Sequence, residues 1–290
     1  MKSRLLNSYE EVTYDRLRAV CEPVGAHVFP KVRVADVFGI QNSGLTDRCF
    51  SYALKSHFDF LVTDSDYGPL FSVEFDGPIH QASEDQISRD QLKDMLCEHF
   101  HHSLLRINCR YLSEEFRGFD LLTYFVDVWF LEQAFYDAQE KGLVPYDEPF
   151  DACFIYSNGE AGARRWPYWL SLDVQVAIQK LYDAGRVAQM GISHYVGVDQ
   201  RGNYRCISWV GVAPNDVVWI TTGMRAQRFS GVCESELVSM IAMFDLFEEL
   251  KKKLRAGSEA VGDKRQFQSA LDTFRRTYDM RSETMCGVLP

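Results

Sequence analysis

Between Ser8 and Cys21 the apolar residues Val12, Leu17 and Val20 fall on one helical face. Ser8 is the predicted N-cap, and Glu11 follows three residues later. From His27 to Ile40 the valines and Phe29 predict a strand broken by Pro30. Residues 41–57 are polar, contain Asn42-Ser43-Gly44, and predict a loop or lid. Two short apolar runs come next, Phe58 to Val62 and Leu70 to Phe75. The turn-forming string Asp64-Ser65-Asp66-Tyr67-Gly68-Pro69 joins them, which predicts a hairpin. Helical spacing returns from Gln86 to His99, with Ile87, Leu92, Met95 and Leu96 on the buried side, and Ser103 to Ile107 reads as a strand. A long aromatic helical pattern from Leu112 to Gly142 closes this part of the chain.

The two prolines and two acids of residues 144–150 mark a linker, so the predicted domains are 1–143 and 151–290. In the second half, Leu172 to Gly185 predicts a helix. Val187 to Val198 and Tyr204 to Val212 predict strands around the turn at 199–203, and Val217 to Thr222 adds another. Two helices come after these strands, about Glu234–Arg255 and Lys264–Tyr278. One reading of this α+β pattern is a winged-helix-like reader whose Arg164, Arg165, Arg201, Arg205, Arg225 and Arg228 meet phosphates. The other is an ordinary packing or oligomerisation domain with solvated arginines.

The chain has 290 residues, 46% of them hydrophobic, and no apolar run approaches the length of a membrane span. The N-terminus shows no signal-peptide pattern, and eight scattered cysteines without a Cys-x-x-Cys pair read as reduced thiols, so a cytoplasmic location is expected. The net charge of −10 is unevenly shared: residues 1–150 hold 14 basic against 25 acidic side chains. That imbalance argues against broad nucleic-acid affinity. Any positive surface must be local, or be supplied by the second half or a partner.

The chemistry concentrates between the hairpin and residue 106. Asp59 lies between two Phe residues, and Glu74 and Asp76 flank Phe75. Alternate residues of a strand share a face, and acids on an apolar strand need a compensating cation. The order Asp, hairpin, Glu-x-Asp-Gly-x-x-His (Glu74 to His80), Arg-Asp-x-x-Lys on a helix (Arg89 to Lys93), then a strand ending Leu105-Arg106-Ile107 resembles the PD-(D/E)xK nuclease superfamily. It is similar in particular to the branch near very-short-patch-repair endonucleases. The resemblance covers roughly Leu6 to Asn108.

The resemblance implies an α/β fold with a restriction-endonuclease-like core (helix, three strands, helix, strand), followed by the α+β second domain. It also implies a Mg²⁺- or Mn²⁺-dependent endonuclease acting on DNA rather than RNA, in restriction, repair or phage defence. Asp59 and Glu74 are the assigned metal ligands, with the backbone carbonyl of Phe75, Asp76 and the first-helix acid Glu11 as further candidates. A bland alternative for Glu10 and Glu11 is an exposed first-turn acid suited to the helix dipole. Asp76 stands where much of the superfamily has Lys. His80 is then assigned to the water proton, and Lys93 can stand in for the missing ammonium. Arg89 and Arg106 are the candidate phosphate contacts; the competing readings are a surface pairing of Arg89 and Lys93 with Asp90 or Asp94, and a structural pairing of Arg89 and Arg106 with the hairpin acids. Cys97, His99, His101, His102 and Cys109 lack standard zinc spacing and read as a polar helix end. The rival to catalysis is a degenerate nuclease fold used as an interaction or nucleic-acid-binding module, with a homodimer or partner formed through the second half.

Overall fold

The computed structural model of the chain describes residues 4–76, 84–116, 118, 120–152, 170–256 and 262–286. It is a mixed α/β structure with two sheets and, among the described residues, eight α-helices and nine strands. Met1–Phe150 together with Gln227–Gly231 form one compact unit; Asp151–Ala226 and Val232–Pro290 form the other.

The first unit opens with α1 (Ser8–Cys21), whose N-cap is Asn7. The Asn7 side chain accepts from the amides of Tyr9 and Glu10, and the Glu10 carboxylate accepts from the Asn7 amide. Asn7-x-x-Glu10 and Ser8-x-x-Glu11 both satisfy the capping-box pattern, and the chain uses the earlier one. Strand β1 (His27–Arg33) then pairs antiparallel with β2 (His57–Thr63). The expected strand to Ile40 ends at Arg33 and gives way to the short helix α2 (Val34–Val37).

The expected loop or lid at 41–57 contains a helix, α3 (Asp47–Lys55), capped by the Thr46 hydroxyl. Cys49 and Ala53, four apart, bury its inner face. That i,i+4 pair was the available signal, and the polar residues around it obscured it. α2 and α3 pack with α4 (Glu84–His99), Phe58 and Leu104 into one apolar cluster.

β2 and β3 (Pro69–Phe75) form the hairpin, closed by Asp64, whose carboxylate accepts from the amides of Asp66 and Gly68. A Cβ on Gly68 would meet that carboxylate at 2.7 Å, so a larger residue there would have to push the Asp64 side chain aside. α4 then carries the chain to β4 (Ser103–Ile107), which lies parallel to β3 and completes the order β1-β2-β3-β4. α5 (Leu121–Glu140) is capped by Asp120, which also binds Arg16 of α1 at 2.5 Å. Phe60 is met by Tyr14 of α1, and Phe71 by Trp129 of α5.

The outer edge of β4 is covered by residues 227–231. The Arg228 carbonyl accepts from the Leu104 amide at 2.7 Å, and the Gln227 side chain bonds both the amide and the carbonyl of Arg106. Phe229 buries its ring against Phe71. An edge strand left open is a template for unwanted pairing, and this segment closes it. Arg228, expected among phosphate contacts of the second domain, instead belongs to the first unit and pairs with Glu98 at 3.0 Å.

The second unit holds α6 (Leu172–Asp183), β5 (Ser193–Val198), β6 (Tyr204–Ala213), β7 (Asp216–Met224), α7 (Glu234–Ala256), β8 (Gly262–Asp263), α8 (Lys264–Thr277) and β9 (Asp279–Thr284). Its strands form one sheet in the order β8-β7-β6-β5-β9, with every pair antiparallel. One apolar cluster joins α6 and α7 to Val210 and Val218; another joins α8 to Tyr195, Ile207 and Trp209. A five-stranded sheet with helical clusters of this kind is not the helix-plus-hairpin of a winged-helix reader. The expected arginines 164 and 165 lie outside the described residues.

Candidate functional site: a charged row across the first sheet

Four ionisable side chains come from four successive strands. Lys31 is on β1, Asp59 on β2, Glu74 on β3 and Arg106 on β4. Glu74 and Arg106 are direct partners in the parallel ladder. Asp59 and Glu74 lie one step beyond the paired residues Phe60 and Val73 of the antiparallel register. Helices add Glu10 from α1 and Lys93 from α4.

The two central carboxylates are fixed reciprocally. Glu74 Oε1 accepts from the Asp59 amide at 3.2 Å, and Asp59 Oδ2 accepts from the Phe75 amide at 2.9 Å. The other oxygen of each carries an ammonium. Lys93 Nζ lies 2.7 Å from Glu74 Oε2, and Lys31 Nζ lies 2.5 Å from Asp59 Oδ1. Lys93 also donates to the His57 carbonyl at 2.9 Å and stands over the Phe58 ring. Lys31 has a second carboxylate, Glu10 Oε1, at 2.7 Å.

Burial is steep across this row. The side chains of Lys93 and Glu74 are only 8% and 12% exposed, whereas that of Lys31 is 38% exposed. Burial raises the Glu74 pKa above the usual carboxylate range; Lys93 pulls it back, and the charge of Asp59 pushes it up again. For Lys31, burial disfavours the charge, but hydrogen bonds to Asp59 and Glu10 outweigh it and raise its pKa. Tyr52 of α3 feels the same field: burial first, then the Glu74 charge, push its hydroxyl up to about 12.

Arg106 is placed differently from the expectation of a phosphate contact. Its side chain is 4% exposed and faces three carboxylates, Asp94 at 2.8 Å, Asp90 at 3.4 Å and Asp76 at 3.7 Å. Burial opposes its charge, but Asp94 and then Asp90 and Asp76 raise its pKa. A guanidinium so enclosed ties α4 to β3 and β4 and is not available to a ligand. Asp76, expected as a further metal ligand, turns to this cluster.

Glu11 also departs from expectation. It is half exposed and pairs with Arg4 at 3.3 Å, while Glu10 takes the inward place. The reason is the helix face: Glu10 lies three residues before the buried Thr13 and seven before Leu17, whereas Glu11 is turned about 100° from it. Arg89 is exposed on α4, one turn before Lys93. Phe75 contributes its amide, which donates to Asp59. His80 lies outside the described residues. His102 is held by Ser72 Oγ at 2.9 Å, and burial lowers its pKa to about 4. Among the described residues, no group of three His, Cys, Asp or Glu side chains converges as a metal cage.

Sequence reasoning missed Lys31; it singled out Glu10 and Glu11 together as first-helix acids, and the structure turns Glu10 toward the row. Lys31 has no motif around it except its neighbour Pro30. Its left-handed backbone, with φ of 57°, is rare for a lysine. Conformations of that kind persist where surrounding contacts over-determine them, here the two carboxylates that Lys31 bridges.

No helix among the described residues is long and apolar enough to cross a membrane. Neither a curated protein nor a solved structure matched the chain. Residues 2–117 match the family described as "Protein of unknown function (DUF2726)", a span that contains every member of the charged row.

Proposed function

We propose that the row is the active site of a metal-dependent phosphodiester hydrolase of the restriction-endonuclease-like kind, acting on DNA. The observation that carries this reading is the delivery of a buried ammonium, Lys93, onto Glu74 beside Asp59. Lys93 brings an ammonium from α4 onto Glu74, where the strand itself carries Asp76 and no ammonium.

The donor set suits a hard divalent cation. It offers oxygen ligands only, on two adjacent carboxylates whose mutual repulsion contributes to the raised pKa of Glu74. The contacts of the row bring together six carboxylates (Glu10, Asp59, Glu74, Asp76, Asp90, Asp94) and three cations (Lys31, Lys93, Arg106), so added positive charge is favoured. Asp59 and Glu74 would hold Mg²⁺ or Mn²⁺, which when bound polarises a phosphate oxygen and lowers the pKa of a water. The chain's own residues prepare the site. The two backbone amides fix the carboxylate planes, and the buried Lys93 ammonium pairs with Glu74 beside them. Arg89, exposed on α4, is the arginine left to meet substrate once Arg106 is committed to its three acids.

One observation favours a second reading. All four oxygens of Asp59 and Glu74 already have hydrogen-bond partners. A row neutralised internally suits a degenerate fold used as a binding module. Incubating the full chain and Asp59→Asn with plasmid, linear duplex, single-stranded DNA and RNA, each with Mn²⁺ or EDTA, separates the two. Metal-dependent cleavage by the wild type alone supports the enzyme. Cleavage that survives Asp59→Asn or EDTA rejects this site, and no cleavage of any substrate favours the binding module.

A further inference from the structure

We infer that Lys31 is a built-in counter-ion of the site, which a divalent metal must displace and which thereby sets the metal concentration at which the site fills. This rests on the metal-dependent reading of the site. Its residue, Lys31, is outside the set that the sequence assigned.

Each central carboxylate uses one oxygen on a backbone amide of its neighbour and presents the other to an ammonium. The two ammonium groups are not equivalent. Lys93 is buried, with a carbonyl and an aromatic ring as further partners, so withdrawing it would strand a charge in the interior. Lys31 is the more exposed of the two and can move into water. Its Nζ lies 2.5 Å from Asp59 and 2.7 Å from Glu10, bridging two carboxylates that would otherwise repel each other. That is the position a hard cation with oxygen ligands takes.

When Lys31 leaves, Glu10 and Asp59 face the same vacated point, so Glu10 becomes available as a third carboxylate from α1. Its hydrogen bond from the Asn7 amide uses Oε2 and leaves Oε1 for this role.

The test is calorimetric titration of Mn²⁺ into the full chain, with no substrate present. Four proteins are compared: wild type, Lys31→Met, Lys31→Gly and Glu10→Gln. The glycine variant suits the positive φ and keeps the fold if methionine disturbs it. Both Lys31 variants should bind Mn²⁺ about tenfold more tightly than wild type, because the competing cation is gone. Glu10→Gln should bind more weakly than wild type. Equal or weaker binding by both Lys31 variants, with clear binding by wild type, overturns the counter-ion role and leaves the metal site standing. No Mn²⁺ binding by any of the four rejects the metal site itself, and the counter-ion role with it.

Discussion

Both sheets of this protein bury neutral hydroxyls, Thr63 and Ser72 in the first among them, but among the described residues the first also buries ion pairs. In the first, the buried polar residues include Glu74, Lys93 and Arg106, all ionisable and all in ion pairs. In the second, the sheet buries Ser193, His194, Ser208 and Thr222, all neutral there, because burial lowers the His194 pKa to about 4. Neutral groups enter a sheet interior at less desolvation cost than charges do. Buried ion pairs often give no net stability over apolar replacements. The first sheet therefore carries an arrangement that packing alone does not call for, and a charged site is the reason we propose for it.

The largest effect should come from Arg106. Arg106→Met leaves Asp76, Asp90 and Asp94 without their shared cation and should lower stability by about 3–5 kcal/mol, read as a fall in denaturant midpoint. A loss as small as that of an exposed ion pair would show that the cluster is solvated and the contrast between the sheets overstated.

Lys93→Met should cost about 3 kcal/mol by leaving the buried Glu74 charge uncompensated. Adding Glu74→Gln should recover most of that loss, since the pair is then removed as a unit. Additive losses in the double variant would separate the two residues energetically.

Opposite pH slopes offer a sharper comparison. Glu74 has a folded pKa above its unfolded value, so the folded state takes up its proton first. Its contribution to stability therefore rises as pH falls from neutrality through the folded pKa. His194 has a folded pKa of about 4 against 6.5 unfolded, so the unfolded chain takes up its proton first. Its contribution falls across that window, by up to about 3 kcal/mol. Urea unfolding at about pH 7 and about pH 5 should show Glu74→Gln steepening the loss in acid and His194→Leu reducing it. The same pH response in wild type and both variants would contradict both assignments.

Thiol labelling gives the smallest effect. Burial pushes Cys21, Cys97 and Cys206 up to about 12, while Cys109 and Cys233 are exposed. An alkylating reagent on the native chain should therefore modify Cys109 and Cys233 first, as mass spectrometry of the digested chain would show. Early modification of Cys97 would mean that α4, which carries Lys93, opens readily.

The hairpin that brings Asp59 beside Glu74, the α4 helix and the β4 strand were legible because each combines a clear period with its own punctuation. Asp64 and Gly68 mark the turn, and Leu104 to Ile107 form an apolar strand around one arginine. Other features depend on contacts that sequence distance hides. Glu10 and Glu11 were both legible as first-helix acids, and it is the buried face of α1, with Thr13, Leu17 and Cys21, that separates them. Lys31 joins the site only when β1 pairs with β2. For Arg106 the sequence left acids and phosphate both open as partners, and it is Asp90 and Asp94 of α4 that enclose it. β9 was absorbed into the tail of the chain because its residues are mostly exposed and carry no alternating pattern. Residues 227–231 had no local reason to leave the second half, since their pairing is with the edge of β4.

The most direct test of the central claim is a time course of plasmid nicking in Mn²⁺ by the wild-type chain and by Glu74→Gln, with both shown to be folded. The account predicts metal-dependent nicking by the wild type and a loss of about 100-fold or more in the variant. Equal rates for the two proteins, or nicking that persists in EDTA, would contradict it.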